Sequence, residues 1–124
     1  MRDVKRILIM EDDLDLAEMM ISMLSNDRVE VYHANKGYDA ILMCQKYKFD
    51  LLITDLIVEG INGFELVNYV NASYIHKKPE IIVISGAFGG QLEEKMEQLN
   101  VSNVFDKPFD ISKFQKKING LLYS

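Results

Sequence analysis

The feature that most constrains the fold is the way unbroken apolar runs alternate with helically spaced ones. The strand reading from Arg6 to Met10 is apolar throughout from Ile7. Leu51, Leu52 and Ile53 form a second such run, and Ile81 to Ile84 a third. Successive side chains of a strand point to opposite sides, so a strand without polar alternation must be buried on both faces. That is the condition of a parallel sheet covered by helices. Val29 to Ala34 behaves differently, with Glu30 set between Val29 and Val31, as suits a sheet edge. Val104 and Phe105 mark a short last strand closed by Lys107 and Pro108.

Between these runs the apolar spacing changes to that of helices. Leu16, Met20, Met23 and Leu24 make the first stripe, and Ala40, Ile41 and Cys44 the second, within a helix from about Gly37 to Tyr47. Leu66, Val67, Val70 and Tyr74 make the third; Leu92, Met96 and Leu99 the fourth. The last helix, from about Ile111 to Leu122, is expected to bury Ile111, Phe114, Ile118 and Leu121 and to leave Lys113, Lys116 and Lys117 in water. Five strands alternating with five helices in 124 residues imply an α/β fold with right-handed crossovers: a doubly wound, five-stranded parallel sheet. With the alternating second strand and the short fifth at the edges, the strand order is 2-1-3-4-5. Residues 1–124 read as one domain. No apolar run reaches the roughly 18 residues of a membrane span. The polar start, Met1 to Lys5, leads into a strand rather than a signal peptide, so a cytoplasmic location is expected.

The strand order gathers several polar residues at the carboxyl edge of the sheet, where ligands of such folds bind. Glu11 and Asp12 follow the first strand, Asp55 ends the third, Ser85 ends the fourth, and Lys107 follows the fifth. Taken singly, each has an ordinary explanation: an Asp in a turn, acids at a helix start, a serine cap, a solvated lysine. Asp13 and Asp15 are expected to do no more than cap the first helix. Three carboxylates at one crevice are another matter, because a pair about 4 Å apart repels by roughly 4 kcal/mol at an effective dielectric near 20. A compensating cation is needed, and an oxygen-only donor set selects a hard ion such as Mg²⁺. The net charge of −5 argues against direct nucleic-acid binding. Cys44 is expected to fill core space, and His33 and His76 suggest no zinc site. Gly60 and Gly63 are expected to give the loop after Asp55 its freedom.

An acidic pair after strand one, an Asp after strand three with a glycine eight residues on, a Ser after strand four and a Lys-Pro pair after strand five resemble the receiver domain of bacterial two-component response regulators, a flavodoxin-like, chemotaxis-regulator-like (βα)5 unit. The resemblance covers essentially the whole chain. It implies a signalling domain rather than an enzyme acting on a separate substrate, in which Asp55 accepts a phosphoryl group from a sensor histidine kinase, a phosphotransfer protein or a small acyl phosphate. Asp12, Glu11, Asp55 and the main-chain carbonyl of Ile57 would hold Mg²⁺. Lys107 and Ser85 would contact the phosphoryl oxygens. The loop Ser85 to Gly90 and the surface of helix four, strand five and helix five would then switch toward a downstream effector or output domain, or toward a phosphorylation-dependent homodimer.

The chain departs from the family pattern in three ways. Val104 replaces the usual aromatic switch residue, with Phe105 expected on the opposite face of the strand; Glu59 stands at a frequent proline; and Ile57 and Ala87 offer no polar side chain to an attacking water. The alternative reading is a pseudo-receiver, a protein-interaction module that works without phosphorylation. A phosphatase of the haloacid dehalogenase type would need a second Asp where Ile57 stands, and a flavodoxin-like cofactor binder would need a phosphate-cradling loop in place of the acids after strand one.

Overall fold

The computed structural model describes residues 4–56, 63–73, 78–86, 92–101 and 103–123. The elements are β1 (Lys5–Met10), α1 (Leu14–Leu24), β2 (Val29–Ala34), α2 (Gly37–Lys46), β3 (Leu51–Asp55), α3 (Gly63–Ser73), β4 (Glu80–Ser85), α4 (Leu92–Gln98), β5 (Asn103–Asp106) and α5 (Ile111–Tyr123). All four strand pairings are parallel, and the order is β2-β1-β3-β4-β5. This is the five-stranded doubly wound sheet that the alternation of apolar patterns implies.

The continuous apolar strands divide their side chains between two cores. Leu8, Met10, Leu52 and Val83 face a cluster that includes Leu66, Val67, Val70 and Met96 from α3 and α4. Ile7, Ile9, Leu51, Ile53, Ile82 and Ile84 face the opposite cluster, with Met20 and Leu24 of α1 and Phe114, Ile118 and Leu122 of α5. Each central strand is thus buried on both sides, while β2 keeps Glu30 exposed at its edge.

Local signals set the helix ends. Asp13 caps α1, its Oδ1 accepting from the backbone N–H of Asp15 at 3.1 Å and of Leu16 at 3.2 Å. Asn100, at φ 59°, turns the chain out of α4. Its N–H reaches the Glu97 carbonyl and that of Val101 the Met96 carbonyl, the pairing of a Schellman stop.

The last helix departs from expectation at both ends. Phe114, Ile118 and Leu122 are the buried residues, spaced four apart on one face. Leu121 is only partly buried, and Ile111 is 48% exposed, because it opens the helix at the sheet's edge beside Pro108 and Phe109. Tyr74 lies outside the described residues. Truncating Leu122 to Ala should therefore lower unfolding free energy by about 2–4 kcal/mol, and Ile111→Ala by under about 1 kcal/mol. Urea denaturation of the two variants checks this order.

Candidate functional site

The register places one polar residue at the end of each strand that meets the crevice. Met10 pairs with Thr54, Asp55 with Ile84, and Ser85 with Asp106, so Glu11, Asp55, Ser85 and Lys107 follow one another across the sheet's carboxyl edge. Lys107 is held there by its main chain, whose N–H donates to the Ser85 carbonyl at 3.0 Å. The Lys107–Pro108 peptide is cis.

From this anchor the Lys107 side chain crosses the crevice. Its Nζ donates to Glu11 Oε1 at 2.7 Å and to Asp55 Oδ2 at 2.5 Å, linking three elements that are far apart in sequence. Glu11 is fully buried and Asp55 nearly so, whereas a quarter of the Lys107 side chain remains exposed. Burial pushes the Glu11 carboxyl above its usual range, against the opposing pull of the Lys107 ammonium and the Asp13 N–H. Burial works the other way on Lys107, but its bonds to Asp55 and Glu11 outweigh that loss and hold its pKa above the ordinary lysine value. The ammonium is therefore firmly charged.

One cation does not balance the cluster. Glu11, Asp12 and Asp55 each bring a carboxylate oxygen to within 4.8 Å of the others. Three carboxylates against a single ammonium leave an excess of negative charge that a small divalent cation would neutralise. The donor set is oxygen only, which suits Mg²⁺.

Two further contacts were not evident from the pattern of acids. Gly63 opens α3 against the turn at Asp55, with its N–H bonded to the Leu56 carbonyl at 3.0 Å. A Cβ at this position would stand 2.6 Å from Leu56 Cα and closer still to the Asp55 carbonyl. Space, rather than the backbone freedom expected of it, is what requires glycine here. His33, to which the sequence suggested no chemistry, places Nε2 2.8 Å from the Glu11 carbonyl oxygen. Only the pairing of β1 with β2, which sets Ile9 opposite His33, could have pointed to it.

A family model of the response regulator receiver domain matches residues 7–119. The chain belongs to that family. It is 29% identical over 119 residues to the response regulator receiver protein CpdR of Brucella abortus, an alignment covering 96% of this chain and 98% of CpdR. It is 25% identical over 119 residues to the probable transcriptional regulator ycf29 of Pyropia yezoensis, covering 94% of this chain and 53% of that protein. The receiver thus spans about half the length of some relatives and nearly all of another. Among solved structures, the signal receiver domain of a DNA binding response regulator from Colwellia psychrerythraea superposes with a TM-score of 0.88 at 24% identity, covering 97% of this chain and 99% of that one.

Within the receiver fold, β5 separates its apolar side chains as the sequence predicts. Val104 packs toward the cluster containing Met96, and Phe105 toward the one containing Phe114. Ile57, Glu59, Gly60, His76, Ala87, Gly89 and Gly90 lie outside the described residues. No helix among the described residues is long and apolar enough to cross a membrane.

Two substitutions probe the geometry. Gly63→Ala should destabilise the receiver by about 1–3 kcal/mol through overpacking. It should also shift the backbone NMR resonances of Asp55 and Leu56 more than those of β1. Lys107→Met leaves two buried carboxylates without their ammonium; since the lysine is partly solvated, the expected loss is about 1–3 kcal/mol, below that of a fully buried pair. Denaturant titration in a metal-chelating buffer measures it.

Proposed function

We propose that residues 1–124 act as a phosphoacceptor receiver in which Asp55 is the nucleophile. The observation that carries this reading is the Lys107 ammonium bridging Glu11 and Asp55 beside a third carboxylate, Asp12. An ammonium already bonded to the nucleophile's carboxylate is positioned to follow the negative charge that phosphoryl transfer delivers there.

In the transfer, a carboxylate oxygen of Asp55 attacks the phosphorus of a phosphohistidine or a small acyl phosphate. A P–O bond forms as the donor's P–N or P–O bond breaks, and the electron pair of that bond leaves with the donor group. The product is an acyl phosphate on Asp55. Glu11, Asp12, Asp55 and the Ile57 carbonyl would hold Mg²⁺, which when bound would offset charge on the acids and the transferring group. Lys107 pairs with the phosphoryl oxygens, and the Ser85 hydroxyl donates a further hydrogen bond to them. Glu11, left with less of the ammonium, keeps the Asp13 N–H as a donor at 3.3 Å.

The donor is a sensor histidine kinase or a phosphotransfer protein. The added charge, about −1.5 to −2, biases the segment after Ser85 and with it the surface of α4, β5 and α5. A downstream effector, an output domain or a second copy reads that surface. With Val104 in place of an aromatic ring, the packing change in β5 falls on an aliphatic side chain. The acids, Ser85 and Lys107 favour this reading over a phosphorylation-independent pseudo-receiver, because a protein-binding module has no need to bury Glu11 and Asp55 against one lysine.

Incubation with acetyl phosphate and Mg²⁺ should add the mass of one phosphoryl group to the wild-type protein and none to Asp55→Ala. Intact-mass spectrometry decides the matter: an adduct that persists in the variant, or a wild type that gains none, overturns the assignment.

A further inference from the structure

Of the three clustered acids, Glu11 and Asp55 are tied to Lys107, whereas Asp12 is exposed and has no side-chain hydrogen bond or ion pair among the described residues. Its direction is set by the backbone that carries it, and that backbone is anchored on β2. The Glu11 N–H donates to the Ala34 carbonyl at 3.1 Å, and the Glu11 carbonyl faces His33 Nε2 at 2.8 Å. A carbonyl oxygen only accepts, so the contact requires a proton on Nε2. The Glu11 carbonyl and the Asp12 nitrogen belong to one planar peptide group. Holding that carbonyl therefore fixes the plane from which Asp12 departs.

We infer that His33 is a positioning residue for the divalent-cation site: its Nε2–H holds the Glu11–Asp12 peptide so that the Asp12 carboxylate points into the cluster with Glu11 and Asp55. The inference rests on the proposed reading of those acids as a cation site. It gives work to a partly buried imidazole on the edge strand that has no place in phosphoryl transfer itself. A group that orients a ligand without touching the ion is worth about 10–100-fold in metal affinity.

The test compares His33→Leu, which removes the donor, with His33→Gln, whose side-chain amide N–H reaches a similar distance from the backbone. Mg²⁺ is titrated by calorimetry into wild type and both variants at neutral pH, and urea midpoints are measured without metal. The expected result is a Mg²⁺ affinity about tenfold weaker in His33→Leu and within about threefold of wild type in His33→Gln. The metal-free midpoints of the two variants should agree. Should His33→Leu lose its cooperative unfolding transition, His33→Phe, which keeps a ring, serves as the donor-free variant under the same criteria. Wild-type affinity in the donor-free protein, or an equal loss in His33→Gln, overturns the inference while leaving the cation site standing. A wild-type protein that binds no Mg²⁺ removes the cation site and the inference together.

Discussion

A single ammonium bonded to two buried carboxylates is the contact on which this receiver's crevice depends. Without Lys107, Glu11 and Asp55 would be buried at the carboxyl edge of the sheet, repelling each other and deprived of the ammonium that bonds both. With it, β1, β3 and the turn after β5 are joined across the molecule by two short hydrogen bonds. The cluster stays rich in negative charge, because Asp12 adds a third carboxylate beside Glu11 and Asp55. That excess of acid is what the proposed Mg²⁺ would offset.

The sheet was legible in the sequence because the physics that builds it acts at short range. Four consecutive apolar residues from Ile7 to Met10 can be hidden only between two layers, and they are hidden there, Ile7 and Ile9 on one side and Leu8 and Met10 on the other. The order of the strands then brought Glu11, Asp12, Asp55 and Lys107 together without any appeal to contacts. The end of α5 was harder to read. Ile111 and Leu121 satisfy the helical spacing as well as Leu122 does, and only the position of the helix over the sheet decides which of them is covered.

The requirement for Gly63 and the part played by His33 were hidden for a different reason. Each concerns the approach of one backbone to another element, a quantity that composition and periodicity do not carry. Gly63 looks like loop chemistry in the sequence, but it allows α3 to begin against the Asp55 carbonyl. His33 looks like an isolated edge residue until β2 lies beside β1 and its ring meets the Glu11 carbonyl. Both therefore act on the acids through the peptide backbone.

The rings on either side of Lys107 have a mechanical consequence. Phe105, two residues before it, and Phe109, two residues after, both pack on Phe114 of α5, with centroids 5.2 and 4.5 Å away. The lysine rides on a short arch of chain whose two feet share one helical pedestal. A sideways pull on the ammonium would have to rock that pedestal or pry an aromatic foot loose, so the packing on α5 steadies the lysine from below.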